Sequence, residues 1–253
     1  MKITIAKQYT QVQTQLTTFI DAFETSGTQF GTPDRNSIKI FNLDGEQINI
    51  KSFKVPNFIN QVVYNFFRKS KAQRSFEYAS KLLSLGIGTP TPIAFYERPT
   101  ILLFKKSYYI SQHLNCDLTY RELTTNLDYP DSEAIIRAFT RFTFDLHEKG
   151  VNFLDHSPGN TLISKTIDYY DFSIVDLNRM KFGNMDFKTR ISNFAKLTIH
   201  KSIIAIMSDE YAKLSNEDYD IVFDLMWGAT EKFQMKSKQK SKLKNKFKFW
   251  KHL

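Results

Sequence analysis

Two alternating segments, Ser37 to Leu43 and Gln47 to Phe53, meet at Asp44-Gly45, and this constrains the chain more than any other feature. Asp-Gly accepts the positive φ angles of a two-residue turn between antiparallel strands, so a hairpin is predicted here. An antiparallel sheet therefore forms early in the chain. The flanking residues agree with it. Met1 to Tyr9 alternates like a short strand, and Val12, Leu16, Phe19, Ile20 and Phe23 recur at helical spacing within Thr10 to Glu24. Lys71 to Leu85 places Ala72, Phe76, Ala79 and Leu82 on one helical stripe closed by Gly86. Thr89-Pro90-Thr91-Pro92 then forces extended backbone ahead of strands predicted over Ile93 to Glu97 and Ser107 to Gln112. Beyond Asp131 the pattern is helical to about Glu148, breaks into a loop and short hairpin through Val175, and is helical again after Phe187. Strands first and helices second predict an α+β, bilobal chain. It would have a mainly antiparallel β N-lobe over residues 1–113, a mainly helical C-lobe over 114–235, and a tail over 236–253.

At 253 residues the chain can bury a core without covalent staples, and two lobes sharing a cleft fit that length. Its one cysteine, Cys116, has no partner in the chain, and neither a secretory leader nor 18 consecutive apolar residues occur. A reduced, cytoplasmic location is the expectation. The net charge is +9, but residues 236–253 hold eight lysines and no acidic residue, so the rest of the chain is close to neutral. The basic character belongs to the tail.

The chemistry-bearing segment runs from Leu146 to Ile163. A helix should end at Gly150, and the loop after it carries Asp155 and, five positions on, Asn160, directly before a strand. That spacing is the one kinases use: the aspartate takes or orients the acceptor hydroxyl's proton, and the asparagine oxygen holds magnesium. An ordinary surface turn also holds Asp, Ser, Pro, Gly and Asn, so the segment alone leaves both readings open. Downstream, Phe172 to Val175 reads as a buried strand that delivers Asp176, a second candidate magnesium ligand. Asp171 stands in a more Asp-Phe-Gly-like string, but choosing it leaves that apolar run without a role. Upstream, Ile48-Asn49-Ile50-Lys51 carries a lysine on a strand, as a phosphate-binding lysine would be carried. Glu77, on the helix that follows, is its candidate carboxylate partner. A solvated strand lysine and a solvent-facing helical glutamate are the bland alternatives. The order decides for the chemistry: lysine, glutamate, two strands, helix, Asp-x4-Asn, strand, aspartate. His147 is expected to bond locally at a helix end and His156 to brace the loop. The histidines and Cys116 show no zinc spacing.

Lys51 to Asn57, Arg68 to Ala79, Gly86 to Ala94, Asp155 to Asn160 and Val175 to Met180 together resemble the lipopolysaccharide kinase (Kdo/WaaP) family, over about Arg35 to Met207. The resemblance implies a protein-kinase-like fold and ATP-dependent, Mg2+-assisted transfer of the γ-phosphoryl group to a sugar hydroxyl. The acceptor would be a lipopolysaccharide core or Kdo-lipid A precursor, on the cytoplasmic face of the inner membrane. It makes Lys51 the phosphate-binding lysine, Glu77 its partner, Asp155 the catalytic aspartate, and Asn160 and Asp176 the metal ligands. Three features depart from kinases at large. Only Gly27 and Gly31 stand where a glycine-rich phosphate cover is expected, Phe153-Leu154 replaces His-Arg, and no Ala-Pro-Glu follows Asp176. A protein (tyrosine) kinase is the enzyme alternative, disfavoured by the missing Ala-Pro-Glu. A pseudokinase or binding module is the other, disfavoured because it needs none of Lys51, Asp155, Asn160 and Asp176. The tail interleaves lysines with Leu243, Phe247, Phe249 and Trp250, a pattern suited to an anionic membrane surface. Nucleic acid is the lesser alternative partner for it.

Overall fold

The computed structural model describes residues 1–32, 36–54, 69–99 and 104–249. Two compact units emerge: Met1–Asn115 with Ser173–Arg179, and Cys116–Phe172 with Met180–Leu253. Of the residues that carry the family resemblance, Val55, Pro56, Asn57 and Arg68 lie outside the described ones.

In the first unit, β1 (Lys2–Ile5) leads through a 3-10 turn to α1 (Gln13–Asp21), β2 (Thr28–Phe30), β3 (Asn36–Leu43) and β4 (Glu46–Phe53). Then come α2 (Lys71–Ser84), β5 (Pro92–Pro99) and β6 (Phe104–Gln112). The strands form one antiparallel sheet in the order β1-β5-β6-β4-β3-β2. The hairpin is where the sequence puts it: Leu43 lies opposite Glu46, and Asp44 and Gly45 turn with φ of 52° and 92°. The first strand is shorter than its alternating pattern, because the amide of Tyr9 bonds the carbonyl of Ala6 and coils the chain.

Each strand presents alternate residues to the two faces of the sheet. Ile48, Ile50, Tyr96, Tyr108 and Ile110 share a buried cluster with Leu16 and Ile20 of α1. Phe53 and Phe95 instead pack with Ala72 and Phe76 of α2. Lys51, two residues before Phe53 on β4, shares this second face. The ends of α2 are closed by its own sequence. Ser70 caps the start, its hydroxyl accepting from the amide of Gln73 at 3.0 Å. At the other end the amides of Gly86 and Ile87 bond the carbonyls of Leu83 and Leu82, with Gly86 at φ 67°. That paired closure needs a residue at ease in the left-handed region.

The second unit contains β7 (Leu118–Thr119), α3 (Tyr120–Thr125), α4 (Ser132–Glu148), β8 (Val151–Phe153), β9 (Thr161–Lys165) and the first three residues of β10 (Tyr170–Ile174), whose last two belong to the first unit. It continues with β11 (Met180–Phe182), α5 (Phe187–Ser192), α6 (Lys201–Ser215) and α7 (Tyr219–Phe249). Its core joins Ile136 and Phe139 of α4 to Met207 and Tyr211 of α6 and to Met226 of α7. Strands β8 and β11, three residues each, pair across Phe153–Met180 and Val151–Phe182. The sequence pattern shows a loop there, since three residues are too few to reveal a period. What holds the pair is a close backbone approach, in which the amide of Gly183 donates to the carbonyl of Gly150 at 2.9 Å.

Gly150 has φ 67°, and a Cβ on it would lie 2.9 Å from the Gly183 carbonyl oxygen. Gly150→Ala should therefore meet both backbone strain and a clash with main chain that cannot rotate away. A loss of roughly 1–3 kcal/mol is expected in denaturant unfolding. Gly45→Ala, at φ 92° but with nothing within 4 Å of its Cβ, should lose only about 1 kcal/mol. Equal losses at the two positions would contradict this account of the Gly150–Gly183 contact.

Candidate active site

The sheet unit brings together a lysine, an aspartate and an asparagine. Although Ser173–Arg179 is remote in sequence, it belongs to this unit. It enters through Ile174, whose amide donates to the carbonyl of Gly88 at 2.9 Å and whose carbonyl accepts from the hydroxyl of Thr89 at 2.8 Å. Two residues later Asp176 adopts φ 60°, a left-handed conformation that aspartate tolerates better than most side chains. Its Oδ1 accepts from Lys51 Nζ at 2.7 Å and from Asn178 Nδ2 at 2.7 Å. The Lys51 side chain is 14% exposed and that of Asp176 35%. The lysine is the more buried of the two, and the partly exposed carboxylate is its counter-charge. Asp171, the rival aspartate, is exposed on β10 in the second unit.

Glu77 does not meet Lys51. Its carboxylate is taken by Lys69 Nζ at 2.8 Å and by Gln73 Nε2 at 2.9 Å. The reason is local: Lys69 stands just before the Ser70 cap, and Gln73 lies one helical turn from Glu77 on α2. Gly27 and Gly31 bracket the edge strand β2 at φ 79° and 68°. Residues 33–35, which lead on to β3, lie outside the described ones.

The helical unit, taken by itself, holds a second group of candidate residues. Asp155 follows β8, and the loop it begins is stitched by its own backbone. The amide of His156 bonds the carbonyl of Phe153, and that of Asn160 the carbonyl of Ser157. Asn160 also donates through Nδ2 to the carbonyl of Asp155 at 2.8 Å, which leaves Oδ1 as the atom it can offer a cation. Lys196 reaches in from the segment after α5. Its Nζ donates to the Leu154 carbonyl and lies 3.4 Å from Asp155 Oδ1. Sequence reasoning missed Lys196, because it sits 41 residues from Asp155 in an irregular stretch with no motif.

Beneath the loop lies a buried polar chain whose direction is fixed by its one unambiguous donor. Asn193 Nδ2 donates to the Phe153 carbonyl at 2.9 Å, so Asn193 Oδ1 must be an acceptor. It receives His156 Nδ1 at 3.0 Å and His147 Nε2 at 3.4 Å. His147 Nδ1 in turn pairs with the Tyr211 hydroxyl at 2.9 Å. Both imidazoles are thus structural: His147 bonds locally at its helix end, and His156, 1% exposed, braces the loop from below. Burial pushes His147 down to about 4 and His156 down to about 3, against the pull of Asn193 in the opposite direction.

Among the described residues no three His, Cys, Asp or Glu side chains cluster as a metal site. Asp176 and Asn160 are both oxygen donors, and a cation held by one or two protein oxygens plus substrate phosphates is what magnesium accepts. Each of these oxygens, taken by itself in its own unit, suits Mg2+ better than zinc.

No protein-family model matches the chain. No curated protein matches it either. Among solved structures, one described as "WaaP in complex with acyl carrier protein" shares its fold with a TM-score of 0.64. That similarity covers 94% of this chain and 99% of the other at 16% identity. The α+β, kinase-like architecture expected from the sequence is thus the one observed. With 1298 solved chains matching, the fold is too widely used to name a substrate.

The two depressed imidazoles set a direction for acid sensitivity. The unfolded chain takes up protons at these histidines below about pH 6.5, while the folded chain refuses them until about pH 4. Stability from this source is complete above pH 6.5 and is lost progressively as pH falls towards 4. At about pH 5 each histidine should account for roughly 1–2 kcal/mol. Thermal melts should show the midpoint falling between about pH 7 and 5, and His147→Gln flattening that slope. A midpoint that stays level across the window would contradict two buried neutral imidazoles.

Proposed function

We propose that this chain, which shares the fold of WaaP, is an ATP- and Mg2+-dependent kinase. It would transfer the γ-phosphoryl group to a sugar hydroxyl of a lipopolysaccharide core or Kdo-lipid A precursor. The observation that supports it most is the Lys51–Asp176 pair, 2.7 Å long and braced by Asn178. A strand lysine and an aspartate held together after a buried strand are the two charges that a nucleotide triphosphate and its cation would separate.

In this reading Asp176 and Asn160 hold the cation, which when bound neutralises phosphate charge. Lys51 turns from the Asp176 carboxylate to the phosphate oxygens. Asp155 accepts the proton of the acceptor hydroxyl as that oxygen bonds to the γ-phosphorus. The bond from phosphorus to the β–γ bridging oxygen breaks, and ADP leaves with those electrons. Asn160, tied to the Asp155 carbonyl, keeps the loop in one geometry. Glu77 is the proposed positioning carboxylate, which would exchange Lys69 for Lys51 when nucleotide binds.

Asp155→Asn, Asp176→Asn and Lys51→Ala should each lower the transfer rate by about a hundredfold or more, while Glu77→Gln lowers it less. The assay is γ-labelled ATP with magnesium, offering lipopolysaccharide core sugar and protein substrates in parallel. Label on the sugar supports the reading. Label only on protein, or normal turnover in Asp176→Asn alongside loss in Asp171→Asn, overturns it.

The basic end of α7 is the proposed membrane contact, holding the protein at the cytoplasmic face of the inner membrane. The helix is continuous to Phe249, and Lys236, Lys238, Lys240 and Lys242 ride on it together with the exposed Leu243. Trp250, which the tail interleaves with those lysines, lies outside the described residues. No described helix is long and apolar enough to cross a membrane. Each lysine near an anionic surface adds about 1 kcal/mol of attraction, which salt weakens. Deleting residues 240–253 should reduce co-sedimentation with phosphatidylglycerol vesicles at low salt and leave ATP binding unchanged. Equal sedimentation of both forms would remove the membrane role.

A further inference from the structure

The helical unit holds a groove to which none of the roles above gives a use. A depression of about 460 Å³ is walled by Leu154, Lys188, Lys196 and Phe233 among others. A second, of about 450 Å³, adjoins it and shares Lys188, Ser192, Ala195 and Phe233, continuing along α7 past Gly228 to Lys232 and Lys236. One end touches Lys196 and Leu154, the two residues bonded to each other beside Asp155. The other end runs out along the helix.

Charge and shape say what the groove would take. Four lysines line it, Lys188, Lys196, Lys232 and Lys236, against two aspartates, Asp186 and Asp224. Asp186 is already engaged, its Oδ1 accepting from the Thr189 amide at 2.6 Å as the cap of α5. The balance is positive, spread along a length no single small ion would span. Phe233 and Leu225 offer apolar surface between the amines, suited to the C–H faces of sugar rings. Gly228 adds an independent observation. A glycine within a helix costs about 1 kcal/mol relative to alanine. Here no packing demands it, since a Cβ at this position would meet nothing within 4 Å. Its lack of a side chain serves to keep the groove floor low.

We propose that this groove is the acceptor site, that it binds a glycan carrying phosphate or carboxylate groups, and that Lys196 is the residue that joins it to Asp155. The proposal rests on the kinase reading for the word acceptor, but not for the binding itself. Lys188, Lys232 and Lys236 meet the anionic groups, and Lys196 lies where it can face both the acceptor and the transferring phosphoryl group.

The test is binding without nucleotide, followed by turnover. Delipidated lipopolysaccharide core oligosaccharide is titrated calorimetrically into the full chain, as isolated and after phosphatase treatment. Phosphorylated oligosaccharide should bind about tenfold more tightly than the treated form. Lys188→Glu and Lys232→Glu should each erase about tenfold of that affinity and raise the acceptor KM similarly, leaving the KM for ATP unchanged. Gly228→Leu should fold with an unaltered or higher melting temperature, because it improves helix propensity, yet bind either oligosaccharide more weakly. Lys196→Met should lower kcat more than it raises the acceptor KM, with Lys196→Arg restoring part of the rate. Intact lipopolysaccharide in vesicles binding groove variants and wild type alike, while the free oligosaccharide binds neither, would assign the attraction to the membrane and overturn the groove. Wild-type affinity in Lys188→Glu, Lys232→Glu and Gly228→Leu overturns it as well. Oligosaccharide binding that follows the variants but never leads to transfer upholds the groove and overturns the kinase reading instead.

Discussion

A lysine and an aspartate 125 residues apart share one hydrogen bond, and much of the chain's organisation follows from making it possible. The segment Ser173–Arg179 lies between stretches that belong to the helical unit, yet it is built into the sheet unit. Two backbone contacts at Ile174 secure it, and the strained backbone of Asp176 then aims a carboxylate at Lys51. Lys51, only 14% exposed, is the more buried partner, and the Asp176 carboxylate supplies its counter-charge. The pair is thus stable in the absence of phosphate and becomes an exchangeable one if phosphate and a cation offer each partner a replacement.

The helical unit solves a related problem with uncharged groups. The short polar loop that begins at Asp155 has few apolar contacts of its own to hold it. Here Asn193 reaches the Phe153 carbonyl from below, and His147, His156 and Tyr211 complete a chain in which each hydrogen bond fixes the next. In a dry interior such a chain is costly when incomplete and specific when satisfied. The low pKa values of the two imidazoles are a consequence of that burial, and they place both histidines among the supports of the loop, away from proton transfer. Lys196 lies 3.4 Å from the Asp155 carboxylate and also borders the groove along α5 and α7.

Sequence alone determined the parts whose causes are local. The Asp44-Gly45 turn fixed a hairpin register, since only that pair accepts the required φ angles within two alternating segments. Ser70 and Gly86 bounded α2 through a hydroxyl cap and a left-handed closure. The five-residue step from Asp155 to Asn160 marked the loop in which one side chain ties the other's backbone. Tertiary structure alone decided which charges meet. Lys51, Lys54, Lys69 and Lys71 lie within about two dozen residues, and nothing in their spacing says which amine Glu77 receives. Packing of α2 gave it Lys69 and left Lys51 to an aspartate far along the chain. Lys196, Asn193 and the lysine groove were equally illegible, because ion pairs and cavities depend on distances across the fold that no periodicity encodes.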